Sequence, residues 1–541
     1  MRSFNGARVL LSVLAIVPGS ASAQHDHSHG TPETFGEVHF ATSCEAQVRP
    51  AFERGVALLH SFAYAETVKA FENVWTKDPR CGMAQWGLAM SYLHIIWAPP
   101  TDAEFAAGRA AAQKAAVAGA STSRERDYIA AIGAYYQGEG VAHPARVVSY
   151  ERAMATVAER NSSDHEATIF HALAILGIAY NSPPDKTYVR QKEAAKILNG
   201  MLALEPRHPG IAHYMIHSFD YPELAELALP AARAYAKIAP SAPHALHMPS
   251  HIFTRLGMWK ESIDSNLASA RTAQAWLARD RAGATPFDGL HAMDYLEYAY
   301  LQTGQDGKAR AVRDDAGKVT TIDVPNFAAA YALAAIPARH ALERRDWSEA
   351  AAVTPQPATF PWEKHPNAQA SIHYARAVGA ARSGNVDAAR QEIAALTRIQ
   401  AALKGQKGFD WATQVEIQRR AAAGWLARAE KNDAEALALM RSAADLEDST
   451  DKHPVTPGAV LPAREQLADL LLESGQPAVS LAEYETSLRS APARFNSYDG
   501  AARAAERAGK TEEAKTYRER LLALCGGSLP ARSGARTAAA H

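Results

Sequence analysis

The sequence has little of what most often declares a function. Three cysteines occur in 541 residues, Cys44, Cys81 and Cys525, and no CxxC or CxxCH is formed. That excludes a thioredoxin-like dithiol and a covalently attached haem. Charge of one sign is not in excess: 57 Lys and Arg face 58 Asp and Glu. Neither nucleic acid nor a polybasic membrane contact is therefore indicated as a partner. GxSxG, HExxH, a Walker A loop and a GxGxxG opening a helix after a strand are all missing. Ile, Val and Thr are sparse beside Ala, Leu, Glu and Arg, which favours helix over sheet. With 47% apolar residues, the chain has a core to bury and is no extended disordered protein.

Long hydrophobic runs are also lacking. The longest begins the chain: Arg2 and Arg8 precede Val9–Val17, and Ala21-Ser22-Ala23 forms a small-residue cleavage site. The run is about half of the ~20 residues a spanning helix needs. Residues 1–23 thus read as a secretory leader, with a mature chain that is periplasmic or secreted and has no membrane span. Export changes the meaning of the cysteines. Cys44 stands before the first helix and Cys81 after the first helical pair, a placement that points to a disulfide in an oxidising compartment. Cys525 is left as an unpaired thiol.

What is present is repetition. "GVALLHSFAYAETVKAFENVWTKDP" has Gly55, Leu58, Thr67, Phe71 and Pro79 at the spacing of a helix–turn–helix unit. From Pro209 the fit improves, with Phe219, Ala228, Ala232, Tyr235 and Pro240 in place. Later units include "SIHYARAVGAARSGNVDAARQEI" and "NSYDGAARAAERAGKTEEAKTYRERLLAL". Each reads as two amphipathic helices that bury their apolar faces only by stacking on neighbours. The pattern resembles the tetratricopeptide repeat (TPR) family over most of residues 45–526. "HALHMPSHIFTRLGMW" and "DKHPVTPGAVLPAREQLADLLLESG" look like a group of exported bacterial TPR proteins of undefined role. The resemblance implies an all-α fold, an α-solenoid of stacked helix–turn–helix repeats.

Composition suggests the organisation. Residues 24–44 form a flexible, His-containing N-terminus with His25, His27 and His29, a tract that can chelate metal. Residues 45–352 form an N-terminal array and 368–526 a C-terminal one. Between them the proline-rich 353–367 serves as a linker, "DSTDKHPVTPG" at 448–458 interrupts the second array, and 527–541 form a polar, disordered tail.

The candidate site comes from laying "PGIAHYMIHSF" over "PHALHMPSHIF". Pro209 falls on Pro243, His213 on His247 and His217 on His251, each offset 34 residues (243 less 209). Residues four apart share a helix face. In the TPR family the first helix of a unit lines a concave groove, so the resemblance implies four imidazoles in one concavity. Aligning Gly304 with Gly257 puts Asp294 in the same register, with His291 one turn before and Tyr298 one turn after. Pro249, inside the second helix, predicts a kink. Neutral imidazole suits Cu and Zn better than Mg or Ca. His213, His217, His247, His251 and Asp294 are accordingly the candidate metal ligands. Arg255, Trp259, His291 and Tyr298 are candidates for contacting a ligand in the groove.

Two functions follow. One is a binding or scaffold solenoid that takes a protein, peptide or small ligand in its groove, with Cu or Zn on the histidines. The other is a metal-dependent enzyme or metal carrier built on His213, His217, His247 and His251. The sequence leaves open whether turnover occurs.

Overall fold

A computed structural model describes residues 33–97, 99–406 and 408–534. The leader and His25, His27 and His29 lie outside them. The fold is all-α, successive helices pairing as antiparallel hairpins that stack in chain order. Among the described residues the one β pairing is an isolated bridge between Thr285 and Ile322, and no helix is long and apolar enough to cross a membrane.

Local chemistry sets the hairpins. Pro209, Pro243, Pro366 and Pro477 each open a helix at its first turn, where a missing N–H costs nothing and φ is already helical. The turn after Arg255 places Gly257 at φ +67°, and Met258 N–H then reaches back to the Phe253 carbonyl at 2.8 Å. Gly304 repeats this at φ +68°, with Gln305 N–H on the Tyr300 carbonyl at 2.9 Å. Both are left-handed closures in which a side chain would be strained. Even "TDAEFAAGRAAAQKAAVAGA", a loose match to the repeat, forms a helix, Asp102–Ala118. Its start is a reciprocal cap between Thr101 and Glu104.

From Thr34 onward the described residues form one compact unit. Residues before the first helix run across the repeats: Glu37 N–H bonds the Arg207 carbonyl, and Phe40 packs among Phe52, Trp86 and Tyr128. Cys44 and Cys81 are joined, with Cα atoms 4.9 Å apart across a separation of 37 residues. Closing a loop of that length stabilises by about 3–4 kcal/mol through the unfolded chain. A Cys44→Ser/Cys81→Ser variant should lose about that much in denaturant melts. A loss below ~1 kcal/mol would show that the segment is held by packing alone.

Residues 353–367 include a short 3₁₀ turn, Trp362–Lys364, and bury Val353, Phe360 and Trp362. The two helices before this stretch, Phe327–Glu343 and Trp347–Ala351, both pack on the helix after it, Pro366–Arg382. The last hairpins fold back on the middle of the chain. Trp259 Nε1 donates to the Ala493 carbonyl at 2.7 Å, and Arg494 reaches Tyr298 Oη at 2.7 Å. Beyond residue 526, Arg532 donates to the Leu301 carbonyl and Ser533 is buried.

Candidate metal centre

Three consecutive first helices supply the site: Pro209–Phe219, the stretch Pro243–Arg255, and Phe287–Gln302. The first is capped by the His208 ring, whose Nδ1 accepts from Gly210 N–H at 3.1 Å. The second is two short helices, Pro243–His247 and Pro249–Arg255, joined through Met248 in right-handed helical conformation. Pro249 therefore breaks the hydrogen-bond ladder without loosening His247, which stays buried.

Six imidazoles gather as two triads. In the first, His213 Nε2 is 3.1 Å from His217 Nε2 and 3.1 Å from His244 Nε2. In the second, His247 Nε2 is 3.0 Å from His251 Nε2, and the His291 ring centroid is 4.2 Å from that of His247. Within each triad the nitrogens lie within 4.8 Å of one another. Each triad takes two imidazoles from one repeat and the third from the next. The third comes from one register position, since His244 and His291 each stand three residues before a position aligned with His213.

The remaining candidates are placed differently. Asp294 shares the register of His213 and His247, but its Oδ1 accepts from Arg339 and its carboxylate belongs to neither triad. Arg255, Trp259 and Tyr298 line a neighbouring cavity of about 510 Å³ together with Trp411, Lys452 and His453. Arg255 Nε donates to Asp220 Oδ1 at 2.9 Å, and Tyr298 Oη accepts from Arg494. His244 and Asp220 are absent from the candidates above. His244, His247 and His251 form an i, i+3, i+7 stripe, a signal that was there to read. Nothing in the spacing marks Asp220.

Hydrogen bonds fix which ring nitrogen carries the proton. His213 Nδ1 is 2.7 Å from the His60 carbonyl, which only accepts. His247 Nδ1 is 2.7 Å from Asn266 Oδ1; Asn266 Nδ2 donates to the Ser262 carbonyl, so its oxygen is the acceptor. His251 Nδ1 is 2.9 Å from Asp220 Oδ2. All three rings thus carry Nδ1–H and aim a bare Nε2 lone pair inward. Outer partners on Nδ1 are what orient metal-binding imidazoles.

Electrostatics keeps the rings neutral. Burial, then the charge of neighbouring histidines, holds His213, His217, His244 and His291 well below the ordinary imidazole pKa. His247 is lowered for the same reasons, against its bond to Asn266. His251 is lowered by burial despite Asp220. Burial would raise Asp220, but Lys452, Arg255 and His251 hold it well below the usual carboxylate range. Lys452, in the 448–458 connection, is itself pushed down to about 8 by burial, opposed by Asp220.

A third histidine group makes the contrast. His60 Nε2 and His208 Nε2 each lie 2.9 Å from Glu166, while His60 Nδ1 pairs with Tyr214 Oη at 2.8 Å. With the His208 cap, all four ring nitrogens have partners. This network is complete in itself. It positions the His60 carbonyl that orients His213.

No family model and no curated protein matches the chain. Among solved structures it is similar to a human IFIT1 dimer with m7Gppp-AAAA. The identity is 13% over 82% of this chain and 90% of that one, with a TM-score of 0.38. Yeast Tom70 matches at 12% identity over 87% and 96%, with a TM-score of 0.33. Cut9–Hcn1 of the APC/C matches at 11% over 91% and 90%, also at 0.33.

Proposed function

We propose that this chain is an exported helical-repeat protein that binds a transition metal, copper or zinc, at two adjacent three-histidine sites. The cavity beside them is then open to a peptide or small ligand. One observation carries the metal reading: the Nε2 atoms of His247 and His251 stand 3.0 Å apart, with both protons committed outward to Asn266 and Asp220. Two buried lone pairs facing each other repel, and a cation between them turns that repulsion into ligation. Imidazole nitrogen as the sole donor type favours Cu or Zn over hard cations. Three ligands per ion leave a position for an exogenous group, which keeps an enzyme or carrier role within the same reading.

The test is elemental analysis of mature protein exported and purified without an affinity tag. About two Cu or Zn ions per chain are expected, one for each triad. Absence of bound metal after loading would sink the reading and leave the cavity as the binding site. Asp220→Asn keeps the shape beside Arg255 but removes the carboxylate from His251 Nδ1–H. It should weaken the second triad about 10–100-fold in competition titrations and leave the first unchanged. An equal loss at both triads would mean that Asp220 acts on the fold instead.

A further inference from the structure

We infer that the two triads form one dinuclear copper unit whose ligand is dioxygen. This rests on the metal reading above and goes on to name the metal, its oxidation state and what it takes up.

Adjacency comes first. His244 completes one triad and His247 begins the other, and they sit three residues apart on one helical stretch. Their ring centroids are 6.4 Å apart. An ion in each triad is therefore the other's neighbour, within the span a small bridging ligand covers. Neither triad contains a carboxylate.

Charge selects the metal. The carboxylate hydrogen-bonded to these rings is Asp220, and it is already matched by Arg255 at 2.9 Å and Lys452 at 3.5 Å. Among the described residues no other carboxylate is hydrogen-bonded to the six rings, so none in direct contact is left unmatched to offset two buried divalent ions, and the cost of burying charge without compensation is large. Two Cu(I) ions halve the added charge and are satisfied by three neutral nitrogens each.

The same balance selects the ligand. When dioxygen binds between two Cu(I) ions, each copper gives up one electron. The products are two Cu(II) ions and a bridging dianion from O₂, so net charge is the same before and after. No proton and no outside reductant enters, and the step reverses when the dianion returns its electrons and leaves as O₂.

The surroundings suit that exchange. Phe62, Trp97, Tyr235 and Tyr295 pack against the triad rings. Such walls keep out the water that would protonate the dianion. His244 is the least enclosed of the six, half-buried beside Trp97 while the other five are buried, and marks the side from which a small molecule enters.

The experiment loads tag-free mature protein with Cu(I) under argon, measures copper, then admits oxygen. The expected result is uptake of about one O₂ per two coppers, seen as intense new near-ultraviolet charge-transfer absorption that argon reverses. The oxygenated protein should show no Cu(II) paramagnetic resonance, because the two spins couple. His244→Ala and His291→Ala should each retain one copper and lose the oxygen-dependent absorption, with circular dichroism checking the fold. Two bound coppers that stay colourless in oxygen, or that oxidise to isolated, resonance-visible Cu(II), overturn the dinuclear inference and leave metal binding standing. Failure to bind copper at all overturns both.

Discussion

Replacing Arg494 with Met should cost about 3–5 kcal/mol of unfolding free energy. The guanidinium is fully buried. It bonds Glu465 through Nε at 3.0 Å and Nη2 at 3.1 Å, Glu343 through Nη2 at 2.6 Å, and Tyr298 through Nη1 at 2.7 Å. Asn496 and Ser497 complete the carboxylates, at 2.9 Å to Glu343 and 2.5 Å to Glu465. Removing the cation strands two carboxylates in a dry interior, and that desolvation, not the lost attraction, sets the size of the effect. A triple variant that also carries Glu343→Gln and Glu465→Gln should therefore regain much of the loss. Denaturant melts of the two variants check this. A single variant within ~0.5 kcal/mol of wild type would show the carboxylates to be hydrated. The residue matters beyond stability because Tyr298 shares its helix with His291. Loosening this joint loosens the helix that brings His291 to the second triad.

Helices were legible because their signals are local. Prolines at helix starts, glycines after helix ends and apolar positions on one face act within a few residues of themselves. The histidine pairs were legible for the same reason: two rings four apart must share a face. Their grouping into triads was not, because the third ring comes from the next repeat, and His291 was placed only among the groove contacts. Aligning the units even hid His244, since Gly210 occupies its place in the preceding repeat. A Cβ on Gly210 would meet His60 Nδ1 at 2.6 Å, so packing against His60 keeps a side chain from that place. Asp294 was drawn in by register alone. It stands where a histidine stands in the two preceding units, but Arg339 from the helix Phe327–Glu343 meets its carboxylate. Asp220, Asn266 and the His60 carbonyl decide the tautomers. They come from a helix end, a second helix and a distant repeat, and no spacing rule connects them to the rings they orient.

Metal should stabilise this protein in a way that separates the triads from the Arg494 network. That network is complete as it stands, each charge being met by a partner. The triads are not: in the metal-free state the bare nitrogens of His247 and His251 oppose each other at 3.0 Å. A ligand that binds only the folded chain adds RT ln(1 + [L]/Kd), about 4 kcal/mol at a free concentration 1,000 times Kd. Copper or zinc added to stripped protein should therefore raise the unfolding free energy by that order, and a chelator should reverse it. His244→Ala and His291→Ala should each keep part of the gain, because each leaves one triad whole, and the double variant should show none. Stability of the stripped double variant is the sharper reading. In that variant His213, His217, His247 and His251 keep their places, so a metal-free penalty no larger than the ~2–5 kcal/mol of an ordinary large core truncation would show the fold intact. If metal leaves the melts of wild type unchanged, or the double variant responds as wild type does, the six histidines are packing residues and the metal assignment fails.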